Sequence, residues 1–212
     1  MTIYNFLHIA SFANISKPIQ NYFSEITGLS RQAKTQWFCA SLSLNTNKTL
    51  SVLQKDHLLF VTGDKQERES EVVDIRENSS YCRSLPDYPL QAQYASGGIL
   101  NGQPLICGGI VGLEESNSAT NECYVYNATT LTWSLFANMN EERYGASGVT
   151  LDNKRFLIMG GSSQTNANST SEYILSDGSV EVGPITPYIG LEWHCLVRLD
   201  DGKVIIITQL KG

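Results

Sequence analysis

The stretch Tyr126–Trp133 reads YNATTLTW and follows the glycine pair Gly108–Gly109. A Tyr, a turn-forming Asn, a run of threonines and a Trp describe the end of one strand, a tight turn and the start of the next strand. Such a stretch is either a lone hairpin or one copy of a repeated unit, and the difference decides the fold.

It recurs. LDNKRFLIMGG (151–161) lies over LQKDHLLFVTG (53–63) without a gap: Leu, a polar turn, an apolar run, then Gly. LDDGKVIIITQ (199–209) fits the same frame, and LNGQPLICGG (100–109) fits with one turn residue fewer. Strand–turn–strand units therefore begin near residues 48, 95, 146 and 195. After the Gly, the first three copies continue alike, through SEVVDI (70–75), NECYVY (121–126) or TSEYIL (170–175). A turn follows, then SSYCRSLP (79–86), TLTWSLF (130–136) or SVEVGPI (179–185). Four short β-branched and aromatic runs in each period of about 50 residues make one antiparallel meander. Only residues 19–34 show helical spacing.

The second copy resembles a Kelch repeat, in which Gly-Gly ends the second strand and Tyr-Asp/Asn-x-x-Thr-x-x-Trp spans the third and fourth. Gly108, Gly109, Tyr126, Asn127, Thr130 and Trp133 match it position by position. The third copy keeps Gly160 and Gly161 but has Leu175 and Val182 in the aromatic places. The first keeps Gly63 alone, with Ile75 and Cys82 as aromatics' substitutes, and the fourth has Thr208 and Gln209 for the glycines. The resemblance covers about residues 47–212 and implies an all-β, Kelch-like β-propeller of four-stranded antiparallel blades. The blades would be 47–90, 91–141, 142–192 and a partial 193–212, about three and a half in all.

Kelch rings usually close with more blades than that, and open ends would expose strand edges. The expectation is an incomplete propeller, a piece of a longer one. The alternative is a small ring in which the divergent segment 1–46 supplies closing strands from 4–12 and 35–44. Within a blade, the glycine pair admits backbone angles closed to residues with a Cβ and lets neighbours approach closely. Trp133 offers a large face to wedge between sheets and an indole N–H for a carbonyl. These residues describe scaffold rather than site.

Composition narrows the function. Hydrophobic residues make up 42% of the 212, enough for a buried core. A net charge of −6 leaves no basic footprint for nucleic acid. No run reaches the roughly 18 apolar residues of a membrane span, and the N-terminal apolar patch is a weak signal-peptide pattern because no Lys or Arg precedes it. Of five cysteines, Cys107 ends one strand and Cys123 starts the next, so a hairpin brings them to the same end as a candidate disulfide. Cys39, Cys82 and Cys195 read as small buried hydrophobes. Sequons at Asn14, Asn47, Asn78, Asn127 and Asn168 add a small pointer to secretion. Cytoplasmic and secreted readings both stay open.

Catalytic signatures are missing. His8, His57 and His194 are scattered, and none has a second ligand at metal spacing; His57 reads as a turn residue. There is no nucleophile elbow, phosphate loop or dinucleotide fingerprint. Asp200-Asp201-Gly202 is a hairpin turn, and Glu114–Glu115 and Glu141–Glu142 read as solvated loop pairs. No catalytic, metal or cofactor-binding residue and no cofactor is expected, and the chain reads as a non-enzyme.

What remains is a set of loops on one rim: 109–121, 161–171 and the lead-in pairs Gln93–Tyr94, Arg143–Tyr144 and Trp193–His194. Tyr94, Glu114, Glu115, Arg143, Tyr144, Trp193 and His194 are the candidate contacts for a protein partner, since Tyr, Trp and Arg are enriched at interface hot spots. The resemblance implies a protein-binding module or scaffold, as in substrate-recruiting adaptors and cytoskeletal binders. One alternative is a secreted, glycosylated propeller of unknown ligand. The other is an enzyme-class propeller resembling galactose oxidase, whose copper-radical site needs clustered His and Tyr that this sequence scatters.

Overall fold

The structure, a computed structural model, describes residues 3–5, 49–54, 57–61, 68, 70–74, 82–112, 118–163, 168–186, 190–199 and 201–207. Short apolar runs between polar turns favour hairpins over helices, and among the described residues there is no helix. A short strand, β1 (Ile3–Asn5), precedes β2 (Thr49–Gln54), β3 (His57–Val61), β4 (Ser70–Asp74) and β5 (Cys82–Leu85), which form the first antiparallel sheet in chain order. Next come β6 (Ala92–Gln93), β7 (Ser96–Leu100), β8 (Gln103–Cys107), β9 (Ile110–Val111), β10 (Ser118–Ala119), β11 (Glu122–Asn127) and β12 (Thr132–Asn138). Of these, β7, β8, β11 and β12 build the second four-stranded sheet, while β6, β9 and β10 form a small sheet of their own.

The third sheet runs β13 (Ser147–Asp152), β14 (Arg155–Met159), β15 (Ser171–Leu175) and β16 (Val180–Val182), again antiparallel. The last pair is β17 (Cys195–Arg198) and β18 (Val204–Ile207), and β1 joins β18 in parallel, Ile3 opposite Val204. The expected antiparallel four-stranded sheets are there, with first strands opening at Thr49, Ser96 and Ser147, and the partial fourth copy opens at Cys195. His57 opens β3 instead of lying in a turn. The helical spacing at 19–34, the closing segment 35–44, His8, Gly63, Glu114, Glu115, Asp200, Thr208 and Gln209 lie outside the described residues.

The sheets stack face to face, and the alternation of a strand explains how. On β14, Phe156 and Ile158 point into a core shared with Leu100, Leu105, Val125 and Ile174 of the second and third sheets. Leu157 and Met159, from the same strand, point the other way, to Leu191, Leu196, Val204 and Ile206. Likewise Leu105 and Cys107 of β8 face the third sheet, while Ile106 faces Val61, Tyr88 and Ala92. Both faces of these second strands are buried, so they read as unbroken apolar runs. First strands lie side by side, β2 against β7, β7 against β13 and β13 against β17. The ring of Phe156 fills the space that Gly98 and Gly148 leave open on them.

The glycine pairs join one sheet to the next. Gly109 donates its N–H to the Arg143 carbonyl at 2.7 Å, and Gly161 donates to that of Leu191 at 2.8 Å. Both glycines of each pair have positive φ. A Cβ on Gly109 would lie 2.8 Å from the Gln93 oxygen, and one on Gly161 2.6 Å from the Tyr144 oxygen. Only glycine permits both the angle and the approach.

Trp133 sits beside Tyr126 on the outer strand pair and reaches back to the first sheet. Its indole N–H donates to the Pro86 carbonyl at 3.1 Å, and its ring meets Tyr88 edge-on at 5.1 Å. It is half-buried rather than enclosed. In the third sheet the register moves the equivalents by one or two residues. Val180 opposite Ile174 takes the place of Trp133 opposite Tyr126, in place of the expected Val182 and Leu175. Val182 is 77% exposed. Cys107 and Cys123 are directly opposed in the ladder and bonded as a disulfide, with Cα atoms 4.0 Å apart. Cys195 is also disulfide-bonded, not the free hydrophobe expected.

Candidate functional site

The lead-in residues before β7, β13 and β17 converge at the end of the sheets where the glycine pairs sit. Equivalent carbonyl contacts of Gly109 and Gly161 set Gln93–Tyr94 in correspondence with Tyr144–Gly145, one residue later than the sequence alignment of Arg143–Tyr144. Those of Gly108 and Gly160 carry this on to Glu192–Trp193. Tyr94, Gly145 and Trp193 are then equivalent, and all three have left-handed backbones, with φ of 59°, 61° and 55°. Gly145 donates its N–H to the Tyr94 carbonyl, and Trp193 donates to that of Gly145, both at 3.0 Å.

Bulky aromatic residues seldom adopt positive φ, and outliers of this kind concentrate at functional positions. Two occur here at matching places. The Tyr94 and Trp193 rings meet edge-to-face, centroids 5.0 Å apart, with the Trp193 ring lying over Gly145. Both are partly exposed, as is Tyr144, which forms a two-way backbone bridge with Ser162 at 2.9 Å. The Ser162 hydroxyl donates to the Glu192 carboxylate. Tyr94, Tyr144, Glu192 and Trp193 thus share one small surface, backed by buried Ser162 and by main-chain bonds between sheets. Glu192 and Ser162 were missed from sequence, although an acid next to Trp193 was the available signal.

Two expected contacts do not belong to it. Arg143 is 1% exposed. Its guanidinium donates to Glu172 Oε1 through Nε and Nη2, to the Gly160 and Thr170 carbonyls through Nη1, and to Thr170 Oγ1 through Nη2. Every donor direction is satisfied inside the protein, so Arg143 ties the lead-in segment to β15 instead of meeting a partner. Glu141 accepts from Arg143 and Thr170, so it is not merely solvated. His194 is 4% exposed, and neither ring nitrogen has a hydrogen-bond partner among the described residues. Burial alone pushes it down to about 4, which keeps it neutral at ordinary pH.

The loop 109–121 also holds more order than its polar sequence announced. Ile110 and Val111 pair with Gln93 and Ala92 on one side and with Ala119 and Ser118 on the other. This small sheet braces the segment that carries Tyr94. Among the described residues no group of three or more His, Cys, Asp or Glu could hold a metal ion. No helix among them is long and apolar enough to cross a membrane.

Searches found no matching family model and no matching curated protein. Solved structures are similar in fold. One, described as the structure of YjhT, superposes with a TM-score of 0.63 at 14% sequence identity. The match covers 74% of this chain and 56% of that one, so the chain spans little more than half of its neighbour, and at this identity the likeness is one of fold alone.

Proposed function

We propose that the chain is a Kelch-like propeller segment that binds a protein partner through the surface around Tyr94, Tyr144 and Trp193. The observation that carries this reading is the pair of aromatic residues held at positive φ, partly exposed and braced by backbone bonds between sheets. A rigid, amphipathic aromatic surface loses little entropy on binding and suits a hot spot. The repeated sheets with first strands side by side and the glycine latches support the propeller reading.

The test is affinity capture with quantitative mass spectrometry on three proteins: wild type, Tyr94→Ala/Trp193→Ala, and Lys154→Ala, which changes an exposed turn at the far end of the third sheet. A protein retained by wild type and Lys154→Ala but lost from the aromatic variant, with folding verified by circular dichroism, is the expected result. Equal capture by all three would remove the surface from consideration.

A further inference from the structure

The turn between β11 and β12 carries the motif Asn127-Ala128-Thr129 at the end of the sheet away from the glycine pairs. Asn127 Oδ1 accepts from the Thr129 N–H at 2.8 Å and the Thr130 N–H at 3.3 Å. The four residues that follow, Ala128–Leu131, are exposed. Its Nδ2 donates to no group among the described residues. Asn168, the other sequon in the described part, differs: its Nδ2 donates to the Glu142 carbonyl at 2.9 Å and its backbone N–H to that of Gly161 at 2.8 Å. A sugar on Asn168 would disturb the packing of that loop.

Two further observations concern the surroundings. Leu131 is 47% exposed at a φ of 56°, a costly combination for an apolar residue at a turn tip, and half-buried Trp133 stands two residues on. Together they offer an apolar seat beside Asn127. Second, Cys107, Cys123 and Cys195 are all in disulfides, a usage that belongs to oxidising compartments, where Asn-x-Thr acceptors are also modified.

We propose that Asn127 is an N-glycan acceptor and that the chain folds in an oxidising secretory compartment. The donor is a polyprenyl diphosphate-linked oligosaccharide. The bond from its C1 to the diphosphate oxygen breaks, a bond from C1 to Asn127 Nδ2 forms, and one amide proton leaves as the polyprenyl diphosphate departs. Oδ1 takes no part in the new bond, so both turn hydrogen bonds persist. The glycan projects from the end opposite Tyr94 and Trp193 and leaves that surface clear; this inference does not depend on what binds there.

The experiment directs the full chain into the secretory pathway of a eukaryotic cell, as wild type, Thr129→Ala and Thr129→Ser. Thr129→Ala abolishes the acceptor motif but keeps the backbone N–H that Asn127 uses, and Thr129→Ser restores the motif. Peptides from lysate and medium are released by a glycan-cleaving amidase in heavy-oxygen water, which labels each formerly modified Asn. Because transfer precedes folding, a chain that fails to leave the cell still reports. The expected result is label at Asn127 in wild type and Thr129→Ser, none in Thr129→Ala, and a linked Cys107–Cys123 peptide without reductant. An unlabelled Asn127 in both pools of wild type, label at Asn168 instead, or free thiols at Cys107 and Cys123 would overturn the proposal.

Discussion

Replacing Arg143 by Ala probes the contact that ties the third sheet's lead-in to β15. The side chains of Arg143 and Glu172 are 0% and 3% exposed, and Nη2 lies 3.0 Å from Oε1. Removing the guanidinium strands a buried carboxylate and takes a donor from the carbonyls of Gly160 and Thr170. Breaking a buried pair from one side costs about 3–5 kcal/mol. Glu172 keeps three donors, the backbone N–H groups of Asn140 and Glu141 and the Asn140 amide, which places the loss near about 3 kcal/mol. Glu172→Gln removes the charge and most of its shape remains, so combining it with Arg143→Ala relieves the stranded carboxylate. The double-mutant coupling should be about 1–3 kcal/mol. Urea denaturation of the four proteins at neutral pH measures it. An Arg143→Ala loss below about 1 kcal/mol, or a coupling indistinguishable from zero, would show that the network is incidental.

Trp133→Ala should cost about 2–3 kcal/mol, below the range for enclosed aromatics because one side of the ring meets solvent, while Val182→Ala should stay within about 0.5 kcal/mol; denaturant melts compare the two. Trp133→Phe isolates the indole bond to Pro86 and should lose about 0.5–1.5 kcal/mol in the same assay. Cys107→Ala/Cys123→Ala should lower stability by about 3 kcal/mol, the value for closing a loop of this modest length, read by urea melts without reductant. His194 must be neutral when folded, so its contribution is complete above about pH 6.5, the unfolded value, and is lost as pH falls toward about 4. The loss approaches about 3 kcal/mol, and His194→Leu should flatten that slope in melts from neutral to acid pH.

Hairpins were legible in the sequence because their causes are local. Turn residues such as Asn153, Gly102 and Gly202, flanked by apolar runs, fix where strands begin and end. The Cys107–Cys123 contact was legible for the same reason, one hairpin away. Register in the third sheet was not. The loops between glycine pair and third strand differ in length, and Val180 faces Ile174 through a turn that counting from Tyr126 misplaces. Nor was the burial of Arg143. Its partners Gly160, Thr170 and Glu172 lie 17 to 29 residues ahead in sequence, so an apparently accessible cation gave no local sign of its neutralising partner. The hairpin of β9 and β10 escaped because its strands are two residues each, too short to alternate.

The glycine latches have a consequence for how this chain tolerates change. What Gly109 and Gly161 grip is a carbonyl, and every residue has one. Ala92, Arg143 and Leu191 hold corresponding positions, yet they share neither charge, size nor polarity. Coupling between neighbouring sheets is written in the main chain, so side chains at the junction can drift without moving the sheets apart. A copy can lose nearly all likeness to its siblings and still dock, and the first copy, with Gly63 alone of the pair, still lays β2 against β7.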